Sequence, residues 1–403
     1  MKKIDISELR AGMLVCGVEK KGRGGALFFV NNILLENESE IRRFSNGYAA
    51  IYINADDGPE DGGFAVDDAG VKGRPAGTGG REASGGDVPA GQAEAPFAAE
   101  LARAKDIKSE AEGLVKSFMN SIRLGREADY GAVHGMVGKM VDSIFRNRDA
   151  LLSLVRLKSF DNYTFTHSVN VCVLSLAIGR HMSLGEGELR SLGIGAILHD
   201  IGKTLIPEGL LNKRGSFSEP EYNEMIKHAS LGFEIVSRTG LIGEDARLAV
   251  LQHHERYDGS GYQGGLSGAD IHPFARVVSV ADVYDAMTSR RVYQEAIAPE
   301  AALKKMFALR GRSFEAETVE RLVRCVGLYP IGTVVELNTG ETAVVKAQNP
   351  DHSLRPVVLI AVGKDKKMLD DPVEADLLGE SGRWVIASRT ACDFDVERLI
   401  GCG

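Results

Sequence analysis

One stretch of this sequence cannot belong to any folded core, and it divides everything else. From Asp56 to about Pro96 the chain is mostly Gly, Pro, Asp, Ala and Ser, and eleven glycines fall between Gly58 and Gly91. Such a segment buries too little surface to offset the entropy of ordering it, so residues 56–96 read as a flexible linker. Residues 1–55 then form a small module of their own, and the chain beyond residue 96 must make the main body. A chain of 403 residues is expected to hold two or three folded units in any case.

In the first module, Ile4, Ile6 and Leu9 precede an Ala11-Gly12 turn, and Met13 to Val18 reads as a strand. The apolar runs at 26–30, 33–35 and 49–53 read as further strands, with a short charged helix over 38–44. Beyond the linker the period becomes helical. Leu101, Ile107, Leu114, Val115, Phe118 and Ile122 form one amphipathic stripe; Val133, Met136, Val137, Met140, Val141 and Ile144 form another. These stripes suit either a core or a homodimer interface, and a homodimer is the expectation. From Leu151 to about Val326 helical segments succeed one another with short Gly-containing breaks.

After Tyr329-Pro330 the texture turns to strands. Gly332 to Leu337, an Asn338-Thr339-Gly340 turn and Thr342 to Lys346 make a hairpin, and 357–362 and 384–387 add strands. The expected fold class is therefore mainly α. An all-helical body spans 97–327, flanked by a small N-terminal α/β module and a small β-rich C-terminal module over 328–403.

A formal net charge of −8 leaves no basic surplus to neutralise a nucleic-acid polymer or an anionic membrane. No apolar run is long enough to span a bilayer, and Met1-Lys2-Lys3 leads into no signal-peptide core. The five cysteines (Cys16, Cys172, Cys325, Cys392, Cys402) have no Cys-x-x-Cys spacing and read as reduced thiols. A cytoplasmic protein is expected.

Within the helical run sit residues that an apolar setting does not tolerate by themselves. His199-Asp200 ends the apolar segment 189–198, His253-His254 ends 248–251, and His167, His228 and Asp282 lie inside helices. Singly, each has an ordinary explanation as a hydrogen-bonded core residue, and Gly202 suits a helix C-cap after His199-Asp200. Together, five imidazoles and two carboxylates match two closely spaced divalent transition metals with open positions. Asp200 can bridge two metals while His199 binds one, and consecutive histidines point about 100° apart, so His253 and His254 can serve different metals. Two metals roughly 3.5–4 Å apart would hold a hydroxide between them and clamp phosphate oxygens, which is phosphate-ester hydrolysis. A nitrogen-and-oxygen donor set suits iron or manganese, then cobalt or zinc, over magnesium. Lys203, beside Asp200, is placed to meet a phosphate oxygen or the leaving alkoxide.

The order of these motifs resembles the HD-GYP family, a branch of the HD-superfamily phosphohydrolases. The matching stretches are His199-Asp200-Ile-Gly-Lys203 through Pro207, Leu211-Asn-Lys213, His228, and His253-His254-Glu255 through Asp258-Gly259-Ser260-Gly261-Tyr262. Arg276 through Asp282, Asp285 and Thr288 completes them, so the resemblance covers residues 150–325. It implies a helical HD-type domain with a bi- or trinuclear metal centre that hydrolyses cyclic di-GMP to pGpG or GMP as part of bacterial second-messenger signalling. It further implies substrate contacts at Lys203, Arg291, Tyr262, Gly261 and Asp285, and signalling partners met through the Gly-Tyr-Pro-type loop. This chain departs from the family in three places. Gln263 stands where the family has proline, Gln294 where it has a lysine, and Tyr163 where some members carry a carboxylate for a third metal. Two metals are therefore expected. The leading function is a metal-dependent cyclic di-GMP phosphodiesterase with Asp200 and Lys203 as catalytic residues. The alternatives are a cyclic-dinucleotide sensor with little turnover, or the same chemistry on another dinucleotide.

Overall fold

The computed structural model describes residues 2–4, 14–20, 27–34, 48–53, 95–155, 163–213, 215, 217–289, 296–349, 352, 354–380, 382–389 and 396–399. The chain divides into two units, Met1–Ser84 and Gly85–Gly403. The first unit holds four antiparallel strands, β1 (Lys2–Ile4), β2 (Leu14–Lys20), β3 (Leu27–Leu34) and β4 (Tyr48–Ile53), in the order β1-β4-β2-β3. The apolar runs 26–30 and 33–35, expected as two strands, are one. The ladder steps from Val15↔Ile33 to Gly17↔Phe29, so Asn31 and Asn32 fall in a bulge and need not end the strand. The helix expected over 38–44 lies outside the described residues, as does the linker expected over 56–96 except for Ala95 and Pro96, which lead into the first helix of the second unit.

The second unit begins with α1 (Phe97–Arg123), α2 (Tyr130–Arg146), α3 (Arg148–Leu154), α4 (Tyr163–His181) and α5 (Glu186–Leu198). Next come a 3₁₀ turn over Ile201–Leu205, then α6 (Glu208–Leu211), α7 (Glu219–Met225), α8 (His228–Ser237), α9 (Glu244–Gln252), α10 (Pro273–Thr288), α11 (Pro299–Ala308) and α12 (Ala316–Val326). The stripes on α1 and α2 are buried in the main core, from Leu101 and Phe118 to Met140 and Ile144. They serve packing within the chain, which removes the surface on which the homodimer expectation rested.

The middle of the body is α5, whose residues from Leu189 to Leu198 are buried almost without break. A helix that is apolar all round must be surrounded, and α2, α4 and α9 surround it. Gly202 does not cap this helix: it lies inside the 3₁₀ turn just beyond it. There a Cβ would stand 1.9 Å from the His228 carbonyl oxygen and 2.5 Å from the Gly232 nitrogen. Only glycine lets the start of α8 approach the turn that carries Asp200, which is how His228 reaches the ligand cluster.

The C-terminal sheet has β5 (Val334–Leu337), β6 (Thr342–Ala347), β7 (Val357–Val362), β8 (Met368–Asp376) and β9 (Val385–Arg389), antiparallel in the order β8-β7-β6-β5-β9, with α13 (Val396–Leu399) after it. Val334 pairs with Val344 and both join the helical core, while Val335 and Ala343 face a second, smaller core with Val358 and Ile360. The period of two thus splits one hairpin between two cores. Strand β8 has no counterpart in the expectation. It is an edge strand, largely exposed, and its Asp370-Asp371-Pro372 fall in an irregularity between the Ile360↔Val373 and Val362↔Met368 pairs.

Candidate functional site

The five histidines and two aspartates come from five elements and meet at one place. His167 is on α4, His199 and Asp200 close α5, His228 opens α8, His253-His254 come directly after α9, and Asp282 is mid-α10. Two groups form within coordination reach: Asp200 with His228, His253 and His254, and His167 with His199 and Asp282. Asp200 faces both. Its Oδ1 lies 3.4 Å from His228 Nε2 and 3.9 Å from His253 Nε2. Its Oδ2 lies 3.4 Å from His199 Nε2 and 3.9 Å from His167 Nε2.

The helix ends themselves set the rings. Nδ1 of His199 lies 2.8 Å from the Ala196 carbonyl, and Nδ1 of His228 and His253 the same distance from the carbonyls of Met225 and Val250. Each is the carbonyl three residues earlier, brought within reach where the helix or turn ends. When Nδ1–H donates there, Nε2 presents a lone pair to the cluster. His167 is fixed differently. Its Nδ1 is 2.7 Å from Asp285 Oδ2 and its Nε2 3.1 Å from Asp282 Oδ1.

Electrostatics suit a cation. Burial drives the pKa values of His253, His254 and His228 down, so these rings are neutral and ready to ligate. Burial also opposes the charges of Asp200 and Asp282. Together the Lys203 ammonium, His199 and His228 outweigh it at Asp200, and His167, His199 and His254 outweigh it at Asp282, so both carboxyls are held well below their usual range. His167 is the exception: against the effect of burial, Asp282 and Asp285 raise it to about 9, so a metal there displaces a proton. His199 Nε2 and Asp200 Oδ1 are buried with no hydrogen-bond partner. Leaving such atoms unmatched costs about 1–3 kcal/mol each, more for a charge, and a metal on that side removes the cost. The donor set and its orphaned atoms fit metal ions.

Lys203 stands at the mouth, its side chain 29% exposed, with Nζ 2.5 Å from Asp200 Oδ2. The other wall is the loop after His254. Glu255 is buried and its carboxylate accepts the backbone N–H groups of Gly264 at 2.6 Å and Leu266 at 3.2 Å, closing the loop on itself. At Gly261 a Cβ would come within 2.4 Å of the Arg256 nitrogen, so that position admits only glycine. Tyr262 lies over the His254 ring, centroids 4.7 Å apart and planes 31° apart. Gln263 has φ 101°, a value proline cannot adopt, and its Nε2 donates to the Ile226 carbonyl at 2.5 Å.

Asp285 corrects one expectation. It is fully buried beneath His167, and besides that ring it holds Asn170 Nδ2 at 2.9 Å and the Ser289 hydroxyl at 3.1 Å. These contacts place it behind a metal-type histidine, as a support for that ring. The sequence signal for this was the spacing: Asn170 lies one helical turn from His167, and Asp285 one turn from Asp282. Sequence reasoning also missed Asn170 and the loop-closing role of Glu255. Arg290, Arg291 and Gln294 lie outside the described residues, as does the side chain of Tyr163, the first residue of α4.

Comparison with known proteins gives the geometry relatives. The family model for the HD domain matches residues 148–317, one for a KOW domain associated with the HD domain matches 334–390, and one for a domain of unknown function matches 1–133. A cyclic di-GMP phosphodiesterase of Pseudomonas aeruginosa is 32% identical over 389 residues, covering 95% of this chain and 90% of that protein. A 3'3'-cGAMP-specific phosphodiesterase of Vibrio cholerae is 31% identical over 189 residues, 46% of this chain and 36% of its own length. Among solved structures, an HD-GYP-type protein from Bdellovibrio bacteriovorus aligns over 80% of this chain and 97% of its own, with 19% identity and a TM-score of 0.47.

Proposed function

Because the chain belongs to the HD-GYP family of HD-superfamily phosphohydrolases, we propose that it is a phosphodiesterase that hydrolyses cyclic di-GMP to pGpG or GMP. One observation carries the reading. Asp200 turns its two carboxylate oxygens to two separate groups of imidazoles, the arrangement a dinuclear phosphodiesterase needs. HD-domain phosphodiesterases are metal-dependent, and this reading assigns two ions, iron or manganese, to His167, His199, Asp200 and Asp282 on one side and Asp200, His228, His253 and His254 on the other. When bound, the metals supply positive charge to the phosphate oxygens and a nucleophilic water near neutral pH.

The protein's own groups do the rest. The carbonyl-locked imidazoles hold their orientation without reorganising during the reaction. Lys203, at the mouth beside Asp200, would face the phosphate or the leaving alkoxide, and Arg291 is assigned to the same phosphate. Tyr262 and Gly261 form the wall against which the substrate lies. The loss of a lysine at Gln294 reduces the charge available to the substrate and leaves the ligand set untouched.

The test is direct. The protein is purified without oxygen, its metals are counted by elemental analysis, and consumption of cyclic di-GMP and of 3'3'-cGAMP is tracked by chromatography for the natural protein and Asp200→Ala. Turnover of cyclic di-GMP that Asp200→Ala abolishes is expected. Binding without turnover by the fully metallated natural protein would overturn the assignment in favour of a sensor, and preferred turnover of 3'3'-cGAMP would change the substrate.

A further inference from the structure

Four rings lead outward from the buried ligands. The centroids of His228 and His254 are 4.9 Å apart, those of His254 and Tyr262 4.7 Å, and those of Tyr262 and Tyr222 6.3 Å with planes at 80°. The run ends at Tyr222 on α7, 47% exposed. Nothing in α7 is buried, so this tyrosine is not there to anchor the helix in the core.

The surroundings nevertheless hold it in place. Ser218 and Glu221 form a capping box at the start of α7, and Lys213 pairs with the same Glu221. At its other end α7 runs into Ile226, whose carbonyl takes the Gln263 side chain. That bond ties the helix bearing Tyr222 to the loop bearing Tyr262, and Gln263 adopts a left-handed backbone in making it. An exposed ring on a short helix fixed at both ends, beside an inner ring that flanks a metal-type ligand, is a preformed surface for a flat apolar group.

We propose that Tyr222 is the outer wall of a nucleobase subsite. One base of the dinucleotide lies against its ring next to Tyr262 while the phosphodiester sits at the ligand cluster. Every nucleobase offers a π face, so the contact adds affinity for a nucleotide over a plain phosphodiester without choosing between purines. This inference rests on the phosphodiesterase reading.

The test uses the full-length metallated protein and two substrates, cyclic di-GMP and bis(p-nitrophenyl) phosphate, which has the scissile chemistry but no nucleobase. Tyr222→Ala should raise KM for cyclic di-GMP by about tenfold with kcat within about twofold, the scale of losing one ring-on-base contact. The kcat for bis(p-nitrophenyl) phosphate and the metal count should not change, and Tyr222→Phe should behave as the natural protein. Cyclic di-GMP is also used as a competitor of bis(p-nitrophenyl) phosphate, where its inhibition constant should rise in parallel for Tyr222→Ala. That arm tests the subsite even if the dinucleotide is bound and not cleaved. An unchanged KM and inhibition constant overturn the subsite, as does an equal loss of kcat on both substrates, which would mark Tyr222 as a structural residue. Absence of cyclic di-GMP turnover in the natural protein would instead overturn the reading beneath it.

Discussion

His199 and Tyr262 border the same cluster, but the molecule holds them in different ways. His199 is fully buried at the end of a helix enclosed on all sides, with one ring nitrogen on a backbone carbonyl and the other on the cluster. Tyr262 sits on a largely exposed loop held by individual hydrogen bonds, among them Glu255 to Gly264 and Leu266, Gln263 to Ile226, and the Tyr262 N–H to the His254 carbonyl. Displacing a ligand means moving a packed helix, whereas displacing the rim means breaking a few hydrogen bonds at about 1 kcal/mol each. The chemistry is therefore rigidly placed and recognition loosely placed. Changes in the cage should reduce kcat and metal content; changes at the rim should move KM.

The strongest way to break that contrast is at Asp200. Asp200→Ala removes the group facing both sets of imidazoles, and kcat should fall by more than about a thousandfold, with at least one metal lost on elemental analysis. Retention of both metals would mean that Asp200 is not shared. Next comes Asp285→Asn, which keeps the shape and removes the negative charge behind His167. Loss of such a carboxylate–histidine contact costs roughly 10–100-fold in metal affinity or activity. A change confined to KM would return Asp285 to the substrate surface, against its burial beneath His167.

The same contrast decides what the sequence could reveal. The ligands were legible because His199-Asp200 and Asp282 interrupt apolar runs where a polar group is costly without a partner. The helical body and the C-terminal hairpin were legible because their periods run unbroken through long segments. Asp285 was expected at the substrate because its motif sits among contact residues, and only the packing of α4 on α10 reveals its place beneath His167. Gly202 looked like a cap because a close approach of α8 is not written in neighbouring residues. Strand β8 was invisible because Asp370-Asp371-Pro372 break its strand pattern, and they sit in an irregularity of its pairing with β7. The left-handed backbone at Gln263 depends on a carbonyl 37 residues away in sequence.

Gln263 sharpens the comparison from the rim side. Proline fixes φ near −65°, so Gln263→Pro must refold the loop and also loses the bond to Ile226. Forcing a backbone out of place costs on the order of 1–3 kcal/mol, and the low end of that range predicts a rise of roughly five- to tenfold in KM for cyclic di-GMP with metal content intact. Gln263→Gly keeps the backbone accessible and loses only the side-chain bond, so its KM should rise less. A larger effect from glycine than from proline would show that the bond, and not the backbone angle, sets the loop. Metal loss in either variant would show that rim and cage are mechanically one.

The smallest effect is expected where neither region is touched. Glu100 on α1 is fully buried, and its carboxylate accepts from Arg146 Nε and Nη2, both at 2.8 Å, and from the Ser143 hydroxyl at 2.7 Å. Burial alone would raise this carboxyl, but the Arg146 and Ser143 bonds outweigh it and hold it below the usual 4.5. A folded value below the unfolded one gives stability that is fully present above about pH 4.5 and is lost as pH falls through the folded value. Arg146 keeps its side chain 35% exposed, so screening limits the gain, and Glu100→Gln should lose only about 1–2 kcal/mol at neutral pH. Thermal melts should show that gap closing as the solution is acidified below about pH 4.5. Neither α1 nor α2 carries a ligand, so KM and metal count should match the natural protein at a temperature where both are folded. A KM that moves with stability would mean that the rim takes its shape from the whole helical scaffold, and the separation of a rigid cage from a locally held loop would fail.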